Sequence, residues 1–224
     1  MKKRVFKSVA AALLVAGLVA CGGADETTVP LLTFDNVGAG TLNVAELKTA
    51  VATYPLAPLS NAEAASLAYM REEEQLAHDV FMVSAGLWAL PVFTNITASQ
   101  TTHSAAIQIL LDRYQQPDPL VGLLNGSFNT TAFQILYNIF AATSRISLIQ
   151  ALTVGVEVEE LTIRDITAQK MNIDNADILL VYDNLLSATH SHLRAFMKEL
   201  TQRGGTYVPK YITQADFDAI MNAQ

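Results

Sequence analysis

Of the 224 residues only Cys21 carries a thiol, which excludes an internal disulfide and any metal site built from several cysteines. Basic residues are scarce too: 14 Lys and Arg stand against 21 Asp and Glu. Beyond the first seven residues there is no basic cluster, so the chain repels phosphates and nucleic acid is excluded as a partner. The longest apolar run, Val9 to Ala20, has 12 residues, where a bilayer-spanning helix needs about 20. Sustained two-residue alternation with β-branched side chains is absent, and no sheet is expected. There is no Gly-x-Ser-x-Gly elbow and no glycine-rich phosphate loop after a strand, so serine-hydrolase and nucleotide chemistry have no support.

What is present begins with a leader. Lys2, Lys3, Arg4 and Lys7 precede the apolar run, the shape of a secretory signal over residues 1–20. The run ends in Leu18-Val19-Ala20-Cys21, which resembles the lipobox of bacterial lipoproteins. That resemblance implies cleavage before Cys21, lipidation of its thiol, and a membrane partner reached through an N-terminal lipid anchor. Gly22 after the cysteine resembles the outer-membrane class, which implies an envelope protein facing the periplasm. The remaining 204 residues hold ten basic and 21 acidic side chains, a net charge of −11. Residues 21–60, rich in Thr, Gly, Pro and Asn around a short helical stretch at Val44 to Tyr54, are expected to be a flexible tether. Residues 61–224 are one helical domain.

Inside that domain the punctuation is helical. Ser60 and Glu63 form a capping-box pair for a first long helix ending near Ala85, before Gly86. Pro91 opens a second, and Pro117-Asp118-Pro119 ends it. Thr131 starts a shorter helix to about Ala142. Long helices follow over about Ser147 to Lys170 and Asn175 to Arg203, the latter stopped by Gly204-Gly205. Thr213 with Asp216 opens a short terminal helix. The expected fold is all-α, a four-helix bundle with short extra helices. Its one long crossover, between the second and third long helices, resembles ferritin-like topology.

Each long helix carries a polar metal-ligand type within an apolar stripe. The stripes read Leu67, Met70, Glu74, Ala77, Phe81; Ile96, Ser99, His103, Ala106, Leu110; Leu152, Val156, Glu159, Ile163; and Val181, Leu185, Ala188, His192, Ala195. Steps of three and four keep these positions on one helix face. A carboxylate there is costly unless paired or metal-bound. Glu73 shares a face with Leu76 and Val80, so Glu73 and Glu74 are equal candidates, and only one or two of Glu72-Glu73-Glu74 are expected to face inward. The bland alternative is ordinary buried histidines bonded to the glutamates. His78 is expected at the surface, His190 exposed, and Glu157 and Glu160 outside the core. Trp88, Phe93, Phe140 and Phe196 are expected to serve packing.

A family resemblance follows from longer motifs. Met70-Arg71-Glu72-Glu73-Glu74-Gln75-Leu76-Ala77 with Asp79-Val80 resembles the opening signature of an uncharacterised ferritin-like family, domain of unknown function 2202. So do Leu90-Pro91-Val92-Phe93-Thr94-Asn95-Ile96, Val154-Gly155, Glu159-Glu160 with Asp165-Ile166, His192-Leu193-Arg194-Ala195-Phe196, and late Gly204, Tyr207, Pro209 and Tyr211. The match runs from about Leu67 to Ile220. Ferritin-like folds hold a di-iron or di-manganese site through one Glu on each of two helices and Glu-x-x-His on the other two. Here Gln100 replaces the carboxylate three residues before His103, and Thr189 stands three before His192.

The expected metal ligands are therefore Glu73 or Glu74, His103, Glu159 and His192, with Gln100 as a weak neutral ligand, around one iron, manganese or zinc ion. The expected function is a lipid-anchored envelope protein with a degenerate or mononuclear metal site and redox or oxygen chemistry. The alternative is a non-enzymatic structural or interaction module whose Glu/His cluster fixes helix packing. Assembly into a homo-oligomer is compatible with either.

Overall fold

The computed structural model describes residues 29–223; the signal segment and Cys21 lie outside them. The described chain forms a hairpin of β1 (Leu32–Phe34) and β2 (Gly40–Leu42), then seven helices. These are α1 (Val44–Ala52), α2 (Asn61–Leu87), α3 (Pro91–Arg113), α4 (Thr131–Ser144), α5 (Leu148–Lys170), α6 (Ala176–Gln202) and α7 (Gln214–Asn222). None is long and apolar enough to cross a membrane.

Local chemistry explains the boundaries. The Ser60 side chain accepts from the Glu63 backbone N–H while the Glu63 carboxylate accepts from that of Ser60, satisfying two free donors at the start of α2. Pro91 occupies the first turn of α3, where its missing N–H costs nothing. Ser147 and Thr213 cap α5 and α7. Contrary to expectation, α2 runs through Gly86 to Leu87, because a glycine near a helix end lowers helix propensity by only about 1 kcal/mol.

The four long helices close a ring: α2 packs on α3, α3 on α6, α6 on α5 and α5 on α2. The crossover between α3 and α5 carries α4, which lies outside against α2 and α5. Two apolar clusters fill the ring. One gathers Leu76, Phe81, Phe93, Ile96, Leu152 and Phe196; the other Met70, Ile107, Leu110, Ile178, Val181 and Leu185. A polar layer separates them, made by Glu73 and Glu74 of α2, Ser99, Gln100 and His103 of α3, Glu159 of α5, and Thr189 and His192 of α6.

The expected tether is corrected over its described part. Leu42, Leu47 and Val51 are 0–2% exposed and belong to the second apolar cluster, so the hairpin and α1 are part of the folded body. The absence of a sheet is corrected as well: β1 and β2 pair antiparallel, with Leu32 opposite Leu42, Thr33 opposite Thr41 and Phe34 opposite Gly40. Strands of three residues are too short to display a two-residue period.

Candidate metal centre

Consecutive helical residues point about 100° apart, and the three glutamates of α2 diverge accordingly. All three are buried and none is a solvated outer position, though only Glu73 and Glu74 turn into the ring. Glu72 reaches the crossover, where it accepts from the Thr130 backbone N–H at 3.0 Å and the Thr130 hydroxyl at 2.6 Å, fixing the start of α4. Glu73 turns towards Asp165 of α5. Glu74 turns towards α3 and its Oε2 lies 3.3 Å from His103 Nδ1. Both Glu73 and Glu74 thus border the polar layer, and Glu74 is the one beside an imidazole.

Across the ring the second pair forms. His192 Nδ1 lies 3.3 Å from Glu159 Oε1, and the His103 and His192 rings stack with centroids 5.2 Å apart. The Gln100 amide donates to Glu159 Oε1 at 3.3 Å. Gly155 brings α5 and α6 close enough for this: a Cβ there would sit 2.6 Å from the Phe196 ring. Glu74, His103, Glu159, His192 and Gln100 are all 0% exposed. The four side chains named from sequence periodicity, and Gln100 named from the family motif, therefore share one cross-section.

The far side of both rings is set by the hairpin, which sequence reading missed. Nε2 of His103 and of His192 lie 3.1 and 3.2 Å from the Gly40 carbonyl. The same nitrogens lie 3.3 and 3.0 Å from Ser99 Oγ, which spends its own proton on that carbonyl. Both neighbours accept, so both Nε2 atoms carry the proton. Each Nδ1 then presents a lone pair to a carboxylate oxygen. Two such groups repel unless a cation lies between them, either a proton or a metal ion.

Burial decides the proton balance without metal. It drives the Glu159 carboxyl well above the usual carboxylate range, reinforced by the Glu74 charge. Glu73 is raised likewise, by burial and then by Asp165. His192 is pushed down to about 3 by burial and by its stacked neighbour His103. A neutral imidazole beside a protonated carboxyl is the metal-free arrangement these shifts favour.

Residues 63–224 match the family described as "Uncharacterized protein domain (DUF2202)". The chain belongs to this family. The uncharacterized protein MJ0754 of Methanocaldococcus jannaschii is 36% identical over 173 residues, covering 77% of this chain and 94% of that protein. The crystal structure of hypothetical protein MJ0754 superposes with a TM-score of 0.74, covering 76% of this chain and 97% of that one. The hairpin and α1 precede the residues matched to the DUF2202 family.

Does this DUF2202 domain's donor set fit a metal ion? Glu73 Oε1 and Oε2, Glu74 Oε1, Gln100 Oε1, Glu159 Oε2 and His192 Nδ1 are buried without a hydrogen-bond partner. So many orphaned acceptors in one layer is unusual, because each ordinarily finds a donor. Atoms bound to one ion at about 2.1 Å lie roughly 3.0–3.5 Å apart, the separation seen in both Glu–His pairs. Among the described residues no three His, Cys, Asp or Glu are drawn into a ready-made coordination set. The chemistry and the pairwise spacing fit; the two pairs are not gathered about one point.

The remaining candidates fall outside the layer. His78 is partly exposed and its Nδ1 meets the buried Asp79 carboxylate at 2.8 Å. His190 is half-buried rather than exposed, and burial lowers its pKa. Glu160 corrects the expectation of an outlying residue: it is fully buried and accepts from the Tyr207 hydroxyl and the backbone N–H groups of Lys210, Tyr211 and Ile212. It anchors the segment before α7. Glu157, half-buried, bonds Tyr211. Phe93, Phe140 and Phe196 are core, and Trp88 donates its indole N–H to the Ser144 carbonyl.

Proposed function

We propose that this chain is a ferritin-like, lipid-anchored envelope protein whose polar layer binds a single iron, manganese or zinc ion. The observation that carries the reading is the pair of imidazoles held with Nδ1 towards buried carboxylates that each keep one oxygen without a donor. Glu74, His103, Glu159 and His192 would hold the ion, with Gln100 as a weak neutral ligand and Glu73 adjacent. Iron so held would supply redox or oxygen chemistry. The chain's own part is to exclude water, since every donor is fully buried, and to fix the imidazoles through Gly40 and Ser99. The ferritin-like assignment is supported by four long helices with one helical crossover between α3 and α5. The lipid anchor rests on the Leu-Val-Ala-Cys motif ending at Cys21.

The test is metal content after purification from cells. Near-stoichiometric iron, manganese or zinc, removed by chelator with a fall in melting temperature, supports the reading. Metal-free protein whose melting temperature ignores all three ions refutes it. That outcome would favour a module in which protonated carboxyls bond the imidazoles and fix helix register, a reading the raised Glu159 pKa suits.

A further inference from the structure

We propose that the β1–β2 hairpin is a removable cover over the buried donors, and the door through which a small solute reaches them; for a metal ion this rests on the reading above. Glu74 and Glu159 come from α2 and α5, whereas His103 and His192 come from α3 and α6. The seams α2–α3, α5–α6 and α2–α5 are helix on helix, and α4 packs outside α2 and α5. At the α3–α6 seam a different element enters. Strand β2 packs on both helices, and one atom of it, the Gly40 carbonyl oxygen, meets both imidazoles.

Gly40 is required there because an added Cβ would lie 2.8 Å from Ala188 Cα and 2.9 Å from Ala188 Cβ. Backbone atoms at that distance cannot give way, so a side chain at 40 pushes the strand off the seam. The fastenings are a few hydrogen bonds and a small apolar contact, since Ala39 and Leu42 are buried at the edges of the two apolar clusters. Ser191 Oγ donates to the Gly38 carbonyl, Ser99 Oγ to that of Gly40, Asn95 Nδ2 to Asp35 at 2.7 Å, and the Leu42 N–H to Thr102 Oγ1 at 3.1 Å. Lifting a hairpin held this way breaks a handful of hydrogen bonds and uncovers two apolar side chains, Ala39 and Leu42. Parting two long helices would expose the apolar core along their length. The hairpin also lies before residue 63, where the family match begins, so this door is an attachment to the shared domain.

Gly40→Ala in the full chain tests the cover, with Ser191→Ala as a milder variant that removes one fastening and adds no bulk. The first readout needs no metal: acylation of imidazoles by diethyl pyrocarbonate, mapped by peptide mass. His103 and His192 should react slowly in the wild type and at least roughly fivefold faster in both variants, the factor expected when one hydrogen bond of ordinary worth leaves the closed state. His78, already partly exposed, should not change and serves as the internal control. The second readout is the rate at which cobalt(II) loaded into the protein passes to excess chelator, which should rise in parallel. Unchanged acylation of His103 and His192 in both variants overturns the cover, whatever the metal results. Faster acylation in protein that takes up no cobalt upholds the cover and refutes the metal reading. If Gly40→Ala does not fold, Ser191→Ala decides.

Discussion

Replacing Gln100 by Glu separates a metal centre from a packing network, because the two predict opposite signs under two conditions. Gln100 is fully buried, its amide donates to Glu159 Oε1 at 3.3 Å, and its own Oε1 has no partner. Without metal, Gln100→Glu deletes that donor and adds an acid beside a carboxyl that burial already holds above its usual range. Losing a buried hydrogen bond and leaving its acceptor unsatisfied costs about 1–3 kcal/mol. At roughly 2–4 °C per kcal/mol for a chain of this size, the metal-free melting temperature should fall by about 2–12 °C. With metal, the new carboxylate is an anionic ligand in place of a neutral amide. A tenfold gain in affinity corresponds to about 1.4 kcal/mol, so the metal-dependent rise in melting temperature should exceed that of the wild type by about 3–6 °C. The assay is differential scanning calorimetry with chelator and with excess iron(II), manganese(II) or zinc(II). An identical shift in both conditions refutes the placement of residue 100 at an ion.

Other outcomes follow from the same geometry. Glu159 is raised above its unfolded value near 4.5, so folded protein binds the extra proton and metal-free stability should decline as pH rises above that value; Glu159→Gln should flatten the decline in urea titrations at pH 5 and pH 8. His192, lowered to about 3 from 6.5, acts in the opposite sense: the unfolded chain binds its proton first, so stability should be lost as pH falls from about 6.5 towards 3. Glu160→Gln turns an amide towards three backbone N–H donors and the Tyr207 hydroxyl; it should cost about 2–3 kcal/mol and raise hydrogen exchange over residues 207–213, with metal content unchanged. Cys21→Ser should leave the precursor uncleaved and absent from the detergent-extracted membrane fraction; an unchanged mass and location would defeat the lipid-anchor reading.

The sequence by itself determined the helices and the faces that meet. Capping chemistry is local, so Ser60 with Glu63, Pro91, and Thr213 with Asp216 marked helix starts that hold to within a residue. Helical period placed Glu74, His103, Glu159 and His192 on inward faces, because a polar residue spaced among apolar ones is buried with them. Tertiary structure decided what period cannot resolve. At three consecutive glutamates every helix face has a claimant, and burial of all three depends on α4, α5 and α3 each supplying a different neighbour. Glu160, adjacent to an inward residue, reads as an outer position until the segment 207–212 folds back over it. The hairpin was hidden because three-residue strands carry no period, and Gly40 because its contribution is a backbone carbonyl, which no side-chain pattern encodes. That carbonyl sets which nitrogen of each imidazole faces the carboxylates. The residue types of the centre were thus legible in the chain, while their protonation, orientation and access were fixed only when 40 met 103 and 192.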